Sequence, residues 1–253
     1  YQTTSYTFAD SAHGARLFAL NLETQQEVWR FPVETQNGLF FYAQPVLTAD
    51  GQLIAGSYGP SGYNLYSLNP VNGAVNWTFE EAKGDYIASP LVTDTAIYAA
   101  NADGKLYALD LTGKRLWTFE SEKPLWAAPT INDVCTCLFV PSMDHKLYAL
   151  NADTGEIRWE TGDLGGAIVS SPTFAEDGTV FIGTFASELV SIGAEDGAIN
   201  WRYQTDGFVW TQPNLVDGVL YFGDSKGILY AVDTAGTEVW KITTEGPIAS
   251  TPL

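Results

Sequence analysis

The stretch that decides the fold is ALNADTGEIRW at residues 149–159, because the chain repeats it from end to end. Related stretches end in six tryptophans at intervals of 39 to 48 residues: Trp29, Trp77, Trp117, Trp159, Trp201 and Trp240. A second series runs out of phase with the first and consists of Pro45, Pro90, Pro129, Pro172, Pro213 and Pro252. Self-similarity at about 40 residues predicts a repeat architecture.

Each repeat contains four short apolar runs. From residue 126 onward they are WAAPTI, CLFVPS, KLYALN and IRWET, separated by turn segments such as ADTGE. Runs of this length, rich in β-branched and aromatic residues and bounded by polar turns, are typical of strands and hairpins. No segment shows a sustained helical period, so we expect almost no helix. Four antiparallel strands per repeat, labelled A to D, predict an all-β propeller blade in which strand A ends near the proline and strand D carries the tryptophan.

The two ends of the chain complement each other. The chain starts in a strand B (SYTFADS) and stops in a strand A (IASTPL). We expect strand A of 248–253 to join the amino-terminal strands B, C and D, which closes a six-bladed ring and leaves no open sheet edge. A fragment of a seven- or eight-bladed ring is the alternative. The blades are predicted within one domain, 1–253, at 1–34 with 248–253, 40–80, 85–120, 125–161, 167–204 and 208–243.

The charge balance restricts the class of partner. The chain carries 30 Asp and Glu against 12 Lys and Arg, a formal net charge of −18. Nucleic-acid binding needs basic side chains on the phosphates, so that class is excluded. A protein or peptide partner, with basic character as one option, agrees better with the charge. No apolar run approaches the roughly 20 residues of a membrane span.

The tryptophan-ending stretches resemble the tryptophan-docking motif of quinoprotein-type propellers, A-x-D-x-x-T-G-x-x-x-W. Residues 149–159 match this motif with Asn151 in place of Asp. The resemblance implies that all six tryptophans are structural and lie flat against a neighbouring blade. Five copies place a glycine where the turn between strands C and D needs a positive φ: Gly73, Gly113, Gly155, Gly197 and Gly236. In the first copy Gln25 and Gln26 replace the glycine, so we expect a longer or strained turn there.

The family also contains enzymes, the quinoprotein dehydrogenases. The resemblance implies for them a pyrroloquinoline quinone with Ca²⁺, an Asp base and a disulfide between adjacent cysteines. Here Thr136 separates Cys135 from Cys137, and the D–A loops are too short to build a closed, dry site. We therefore assign no catalytic residue, metal or cofactor. Extended cysteines two residues apart lie near the ~7 Å limit for a disulfide. Two reduced thiols are expected, with a disulfide across an irregular turn as the alternative.

Aromatic residues near strand A are the candidate binding site. Three residues before each proline stand Tyr42, Ile87, Trp126, Val169, Trp210 and Ala249, and Trp126 and Trp210 are the two tryptophans outside the docking series. At the channel mouth of a propeller we predict binding by Tyr42, Trp126, Trp210, Phe41, Tyr86 and Phe208, because aromatic side chains there stack on a planar ligand or hold a peptide. Packing against the loops is the alternative.

Two further expectations concern the loops. Acidic residues of the D–A loops suit a basic peptide or an amine, with solvated loop charges as the alternative: Glu34, Glu80, Glu81, Asp85, Glu120, Glu122, Asp163, Asp206 and Glu245. His145 occupies the place of Gly104 and Gly227 in sister blades, so a turn with positive φ is expected there.

The resemblance extends to non-catalytic members, such as the propeller lipoprotein of the outer-membrane β-barrel assembly machinery. It implies an extracytoplasmic scaffold that engages a protein or peptide through its D–A and B–C loops. A self-assembling extracellular structural protein and a quinone-dependent dehydrogenase are the alternatives.

Overall fold

The computed structural model describes residues 5–8, 16–34, 38–60, 62–132 and 135–252, with the backbone alone for 5–8. Within these ranges the chain forms strands and turns and no helix, as predicted. None of the described segments forms a helix with the length and apolar character that crossing a membrane requires. The chain divides into two compact units, 1–120 and 121–253. The boundary falls between the predicted third and fourth blades, and the assignment of one domain stays a prediction.

The described part of unit 1 (1–120) contains three antiparallel sheets. The first joins β1 (Ser5–Phe8), β2 (Leu17–Asn21) and β3 (Gln26–Phe31) in that order. The second joins β4 (Val46–Leu47), β5 (Leu53–Gly56), β6 (Leu65–Leu68) and β7 (Val75–Phe79). The third joins β8 (Leu91–Val92), β9 (Ile97–Ala100), β10 (Lys105–Leu109) and β11 (Arg115–Glu120).

Unit 2 (121–253) follows the same plan, with three four-stranded sheets in its described part. The first joins β12 (Thr130–Asn132), β13 (Cys137–Pro141), β14 (Leu147–Asn151) and β15 (Ile157–Glu160). The second joins β16 (Thr173–Phe174), β17 (Val180–Thr184), β18 (Glu188–Ile192) and β19 (Ile199–Gln204). The third joins β20 (Asn214–Val216), β21 (Val219–Gly223), β22 (Ile228–Asp233) and β23 (Glu238–Thr243).

The strand A segments lie on the other side of the proline from where the sequence placed them. In five sheets, strand A begins at the residue after the proline, as β4 does after Pro45 and β20 after Pro213. Proline has no amide N–H to donate to a ladder, so pairing with strand B starts beyond it. The residues before the proline run as a segment outside the ladder.

The carboxyl-terminal segment 248–252 forms no ladder strand, although the sequence predicted a strand A there. It lies against the last sheet of unit 2, because the Ile248 amide donates to Asp224 O at 3.1 Å. An equivalent hydrogen bond joins the preceding repeats, where the Val209 amide donates to Thr184 O at 3.1 Å. The segment thus docks as the start of a further blade, and its pairing with the amino-terminal strands stays a prediction.

The hydrophobic cores lie between successive sheets within each unit. Strands B and C supply most of the buried side chains, and β13 is buried along its whole length, whereas the outer strand β15 is mostly exposed. In unit 1, for example, Ile54 and Leu65 of the second sheet pack with Ile97 and Leu109 of the third. Full burial of such side chains stabilises the fold by roughly 1.5–3 kcal/mol each. Each sheet therefore depends on its neighbour for its stability.

The turns between strands C and D take the conformation that the motif predicts. The five motif glycines have φ between +70° and +88°. Gln25, which stands in the first copy of this turn, has φ +57°, a region that side chains rarely adopt, so the expectation of a strained turn is confirmed. Asn151 Oδ1 accepts the amides of Asp153 and Thr154 at 2.8 and 3.1 Å, so asparagine replaces the motif's aspartate without loss of the turn. The positive φ expected for His145 is also found, at +74°.

The expectation of two reduced thiols is wrong, because the structure joins Cys135 and Cys137 in a disulfide. Thr136 adopts φ +52°, which turns the backbone between the two cysteines. The two Cα atoms are therefore 5.1 Å apart, well inside the range that a disulfide spans. An extended strand would have held them too far apart, and the left-handed residue is not evident from the sequence.

Candidate functional site

Four of the repeat tryptophans bridge neighbouring sheets within a unit. Each indole Nε1 donates to a carbonyl in the next C–D turn: Trp29 to Pro70 at 2.8 Å, Trp77 to Leu111 at 3.1 Å, Trp159 to Ala194 at 2.9 Å and Trp201 to Thr234 at 3.0 Å. The ring covers the glycine of that turn, since a Cβ on Gly197 would lie 2.5 Å from the Trp159 ring. These rings are already engaged with the protein itself.

The other two repeat tryptophans contact aromatic side chains of their own sheet. Trp117 lies 5.7 Å from Tyr98 and Trp240 lies 5.8 Å from Tyr221, both between ring centroids.

The residues before each proline alternate between exposed and buried. Three residues before the proline, Tyr42 is 70% exposed, Trp126 42% and Trp210 49%. Four residues before it, Phe41 and Tyr86 are 7% and 1% exposed. Successive side chains of an extended chain point in opposite directions, which explains the difference. The segment therefore presents one row of side chains outward and packs the other row between sheets.

Phe41 and Tyr86 were predicted as binding residues, and the structure places both in the cores between sheets. Phe41 packs with Tyr66 and with Phe31, whose ring centroid is 6.0 Å away. Tyr86 lies so close to strand B of the preceding sheet that a Cβ on Gly56 would come within 2.4 Å of the Tyr86 Cβ. Neither face is open to a partner. The prediction treated Phe41 and Tyr86 as though they faced the same way as their neighbours Tyr42 and Ile87.

Trp210 belongs to a cluster on the loops of unit 2. Its ring centroid lies 5.5 Å from Phe185 and 6.0 Å from Phe208, and Phe185 and Phe208 are 4.8 Å apart. Phe185 and Phe208 are half-buried, so Trp210 is the most exposed member. We name Phe185, Phe208 and Trp210 the unit 2 aromatic cluster. It brings together two predicted residues and one that the sequence analysis missed.

A similar cluster lies on the loops of unit 1. The Tyr58 ring lies 5.3 Å from Phe40 and 6.3 Å from Tyr42. The backbones of Phe40 and Tyr58 exchange two hydrogen bonds of 2.9 Å, which fix the pair. We name Phe40, Tyr42 and Tyr58 the unit 1 aromatic cluster. Tyr58 was missed like Phe185, and both stand two residues after the last glycine of a strand B, which is the signal that would have identified them.

A buried carboxylate holds the loop that carries Phe208. Asp224 is fully buried, and its Oδ2 accepts the Gly207 amide at 2.8 Å and the Tyr230 hydroxyl at 3.0 Å. Its Oδ1 accepts the amides of Lys226 and Ile228 at 3.0 and 2.9 Å. Four donors satisfy the carboxylate. Burial, the largest cause, raises the pKa of the Tyr230 hydroxyl above its ordinary value.

The same device recurs in other repeats. Tyr107 donates to Asp103 Oδ2 at 2.7 Å, and that oxygen also accepts the Lys83 amide of the D–A loop at 2.9 Å. Tyr148 donates to Asp144 Oδ2 at 2.7 Å. Burial first, and then the hydrogen bond to Asp103 or Asp144, raises the pKa of each tyrosine. The D–A and B–C loops are thus tied together by polar contacts that fix their shape.

Several of the acidic residues of the D–A loops have partners within the protein. Glu81 pairs with Arg115, and Asp163 with His145 at 3.0 Å. Glu120 lies 3.9 Å from Lys105 Nζ. The side chains of Glu81, Asp163 and Glu120 nevertheless stay 50–71% exposed, so these pairs leave the acidic charge of the loops facing solvent.

The residues present do not fit a quinone held with Ca²⁺. Across the described ranges, no group of three or more His, Cys, Asp or Glu side chains is arranged to hold a metal ion. The disulfide Cys135–Cys137 lies in an A–B turn. It therefore lies at the far end of strand B from the B–C loop of its own sheet.

Comparison with known proteins gives one matching family and several relatives. The model of the family described as outer membrane protein assembly factor BamB matches residues 13–162 and 143–252. BamB of Moranella endobia is 27% identical over 176 residues, which cover 62% of this chain and 45% of that protein. BamB of Yersinia pestis is 31% identical over 135 residues, 49% of this chain and 34% of that protein. The chain thus spans less than half the length of these curated relatives.

An enzyme also appears among the relatives. The quinoprotein alcohol dehydrogenase PedH of Pseudomonas putida is 25% identical over 187 residues, which cover 64% of this chain and 30% of the enzyme. The similarity therefore extends to both branches of the propeller class.

Solved structures show the same fold. The crystal structure of BamB from Moraxella catarrhalis matches with a TM-score of 0.79 at 19% identity, over 98% of this chain and 76% of that chain. Quinohemoprotein alcohol dehydrogenase from Comamonas testosteroni matches with a TM-score of 0.65 at 16% identity, over 80% of this chain and 43% of that chain. The predicted all-β propeller is confirmed. Since the family model matches well over half of the residues, the chain belongs to the family of outer membrane protein assembly factor BamB.

Proposed function

We propose that this chain is a non-catalytic propeller module that binds a protein or peptide partner through its D–A and B–C loops. The observation that carries the proposal is the unit 2 aromatic cluster, in which Trp210 is half-exposed on loops held by the buried Asp224. The name of the matched family, an assembly factor of outer membrane proteins, supports a protein partner and an extracytoplasmic location. No cofactor or metal is part of this function.

The cluster has the properties of an interaction hot spot. Tryptophan and tyrosine bury a large area and lose little conformational freedom when they bind. The polar contacts between the loops fix the cluster before a partner arrives, which lowers the entropic cost of association. Truncation of such a central aromatic residue costs about 2 kcal/mol or more of binding free energy.

Charge favours a partner segment with basic residues. The net charge of −18 creates an attractive field for cations around the whole chain. We therefore expect association to weaken as salt rises, because exposed charges are screened beyond about 8 Å at physiological ionic strength.

The proposal is tested with a displayed library of random dodecamer peptides selected on the full chain. We expect selected peptides rich in aromatic and basic residues, and at least about 30-fold weaker binding to Trp210→Ala, measured by fluorescence polarisation. Ile242→Ala is the matched control, since Ile242 is exposed on the outer strand β23. Binders that ignore Trp210→Ala, or a selection that yields none, would contradict the proposal.

The outer strands favour self-association as a second candidate. Each strand D carries an aliphatic side chain, one or two residues before the tryptophan, that is 41–54% exposed: Val28, Val75, Leu116, Ile157, Ile199 and Val239. Exposed aliphatic side chains on an edge strand invite pairing with another chain. Sedimentation velocity at rising concentration should then show oligomers that Ile157→Lys with Ile199→Lys removes. A monomer at every concentration excludes this candidate.

A further inference from the structure

We propose that the Cys135–Cys137 pair is a redox-active site that exchanges its disulfide with dithiols, in addition to the binding function. The site comprises the disulfide, the left-handed Thr136 between the cysteines, and Arg158 on the outer strand β15 of the same sheet. The aromatic clusters take no part in it, so the two proposals stand independently.

The two sulfur atoms differ in access. Cys137 is the first residue of β13 and is 1% exposed within the core of unit 2. Cys135 lies in the turn and is half-buried, next to the exposed Thr136. An incoming thiolate therefore meets Cys135 Sγ, and Cys137 is the sulfur that leaves.

Arg158 is placed to assist that departure. Its Nη1 donates to Cys135 O at 2.8 Å and lies 3.3 Å from Cys137 Sγ. A guanidinium beside a sulfur stabilises the thiolate that forms when the disulfide opens. Exchange is faster when the leaving thiolate is stabilised. The bond to Cys135 O also holds the guanidinium at the turn.

The exchange balances with a dithiol as the reductant. Its first thiolate attacks Cys135 Sγ, the Cys135–Cys137 bond breaks, and Cys137 leaves with the electron pair as a thiolate. The second thiol of the reductant, as a thiolate, then attacks the reductant's first sulfur in the mixed disulfide. This step releases Cys135 as a thiolate. The two protons of the dithiol end on the two cysteines, and the dithiol becomes a disulfide. The reverse sequence oxidises a dithiol client.

A purely stabilising role accounts less well for this disulfide. It links residues two apart, so the loop that it closes is very short. A disulfide constrains the unfolded chain less as its loop shortens. Two cysteines placed this closely in sequence therefore restrict the unfolded chain little, and the arginine at the sulfur has no part in such a role.

The test measures reduction of the oxidised full chain by dithiothreitol, with N-ethylmaleimide quenching and mass spectrometry. We expect Arg158→Gln to slow reduction about ten-fold, since the stabilising charge is lost, and Arg158→Lys to stay near the original rate. Arg202→Gln is the matched control, because Arg202 pairs with Glu188 on the next sheet. Circular dichroism verifies that each variant is folded. Equal rates for Arg158→Gln and the original chain would overturn the proposal.

A second measurement identifies the attacked sulfur. Glutathione, a monothiol, should leave its adduct on Cys135, located by fragmentation on either side of Thr136. An adduct on Cys137 would overturn the proposed direction of attack. Cysteines that react with N-ethylmaleimide in the air-equilibrated protein before any reductant is added would overturn the site itself.

Discussion

The repeat tryptophans and the loop tryptophans differ in what they contact more than in how far they are buried. Trp240 of the repeat series is 37% exposed and Trp126 of the loops is 42% exposed, so exposure alone hardly separates them. Trp159 gives its Nε1 hydrogen to Ala194 O and lies on Gly197 of the next sheet. Trp210 has ring contacts with Phe185 and Phe208. Four of the repeat tryptophans thus join two sheets, whereas Trp126 and Trp210 lie exposed on the loops.

The largest expected effect is on the repeat series. Trp159→Ala should lower the free energy of unfolding by about 3–5 kcal/mol, because it removes a ring packed between two sheets and leaves a cavity. Trp126→Ala should cost less than about 1 kcal/mol. Urea denaturation of both variants measures the difference. Equal losses would show that the distinction between the two series is false.

A substitution at Gly197 tests the contact between Trp159 and Gly197 from the glycine side. Gly197→Ala should cost about 2–4 kcal/mol, because φ is +71° and the new Cβ would lie 2.5 Å from the Trp159 ring. Gly218→Ala is the matched control, since Gly218 has φ +78° and nothing within 4 Å of the added Cβ. It should cost about 1–2 kcal/mol. The excess for Gly197, again from urea denaturation, measures the ring contact alone, and no excess would deny it.

Much of the fold could be predicted because the same sequence pattern occurs in six copies. Glycine at the C–D turn and tryptophan after it follow from backbone geometry and from the flat ring, which are local constraints visible in sequence. Strand A was misplaced relative to Pro45 and its counterparts, because an apolar run does not reveal where ladder hydrogen bonds begin. The disulfide was missed because the left-handed turn at Thr136 depends on the surrounding structure.

The candidate site could be predicted only in part. Alignment on the proline selected Tyr42, Trp126 and Trp210, which the structure leaves exposed, and their part in binding stays a prediction. Phe41 and Tyr86 are buried instead, because adjacent side chains of an extended segment point in opposite directions. Phe185 and Tyr58 come from B–C loops, and the fold brings them to residues that precede Pro45 or Pro213 in the sequence.

Tyr86 was predicted as a binding residue but lies in the core, and its hydroxyl gives a test of that position. Among the described residues its buried hydroxyl has no hydrogen-bond partner, and burial is the main cause that raises its pKa. Tyr86→Phe should therefore stabilise the protein by about 1 kcal/mol, because an unsatisfied buried polar group is removed. Tyr107→Phe is the control and should destabilise by a similar amount, since that hydroxyl donates to Asp103. Thermal unfolding reports both signs. Destabilisation by Tyr86→Phe would indicate that the hydroxyl is satisfied after all.

The smallest effect on stability is expected at Trp210. Trp210→Ala should change the free energy of unfolding by less than about 0.5 kcal/mol, because half of the ring is exposed and its neighbours Phe185 and Phe208 can repack. The same variant should lose peptide binding, so stability and binding separate at this one residue. At Trp159 the opposite holds, because a ring that joins two sheets cannot be removed without loosening them. A marked drop in melting temperature for Trp210→Ala would place this tryptophan with the packing residues, and the unit 2 aromatic cluster would then be a support for the loops.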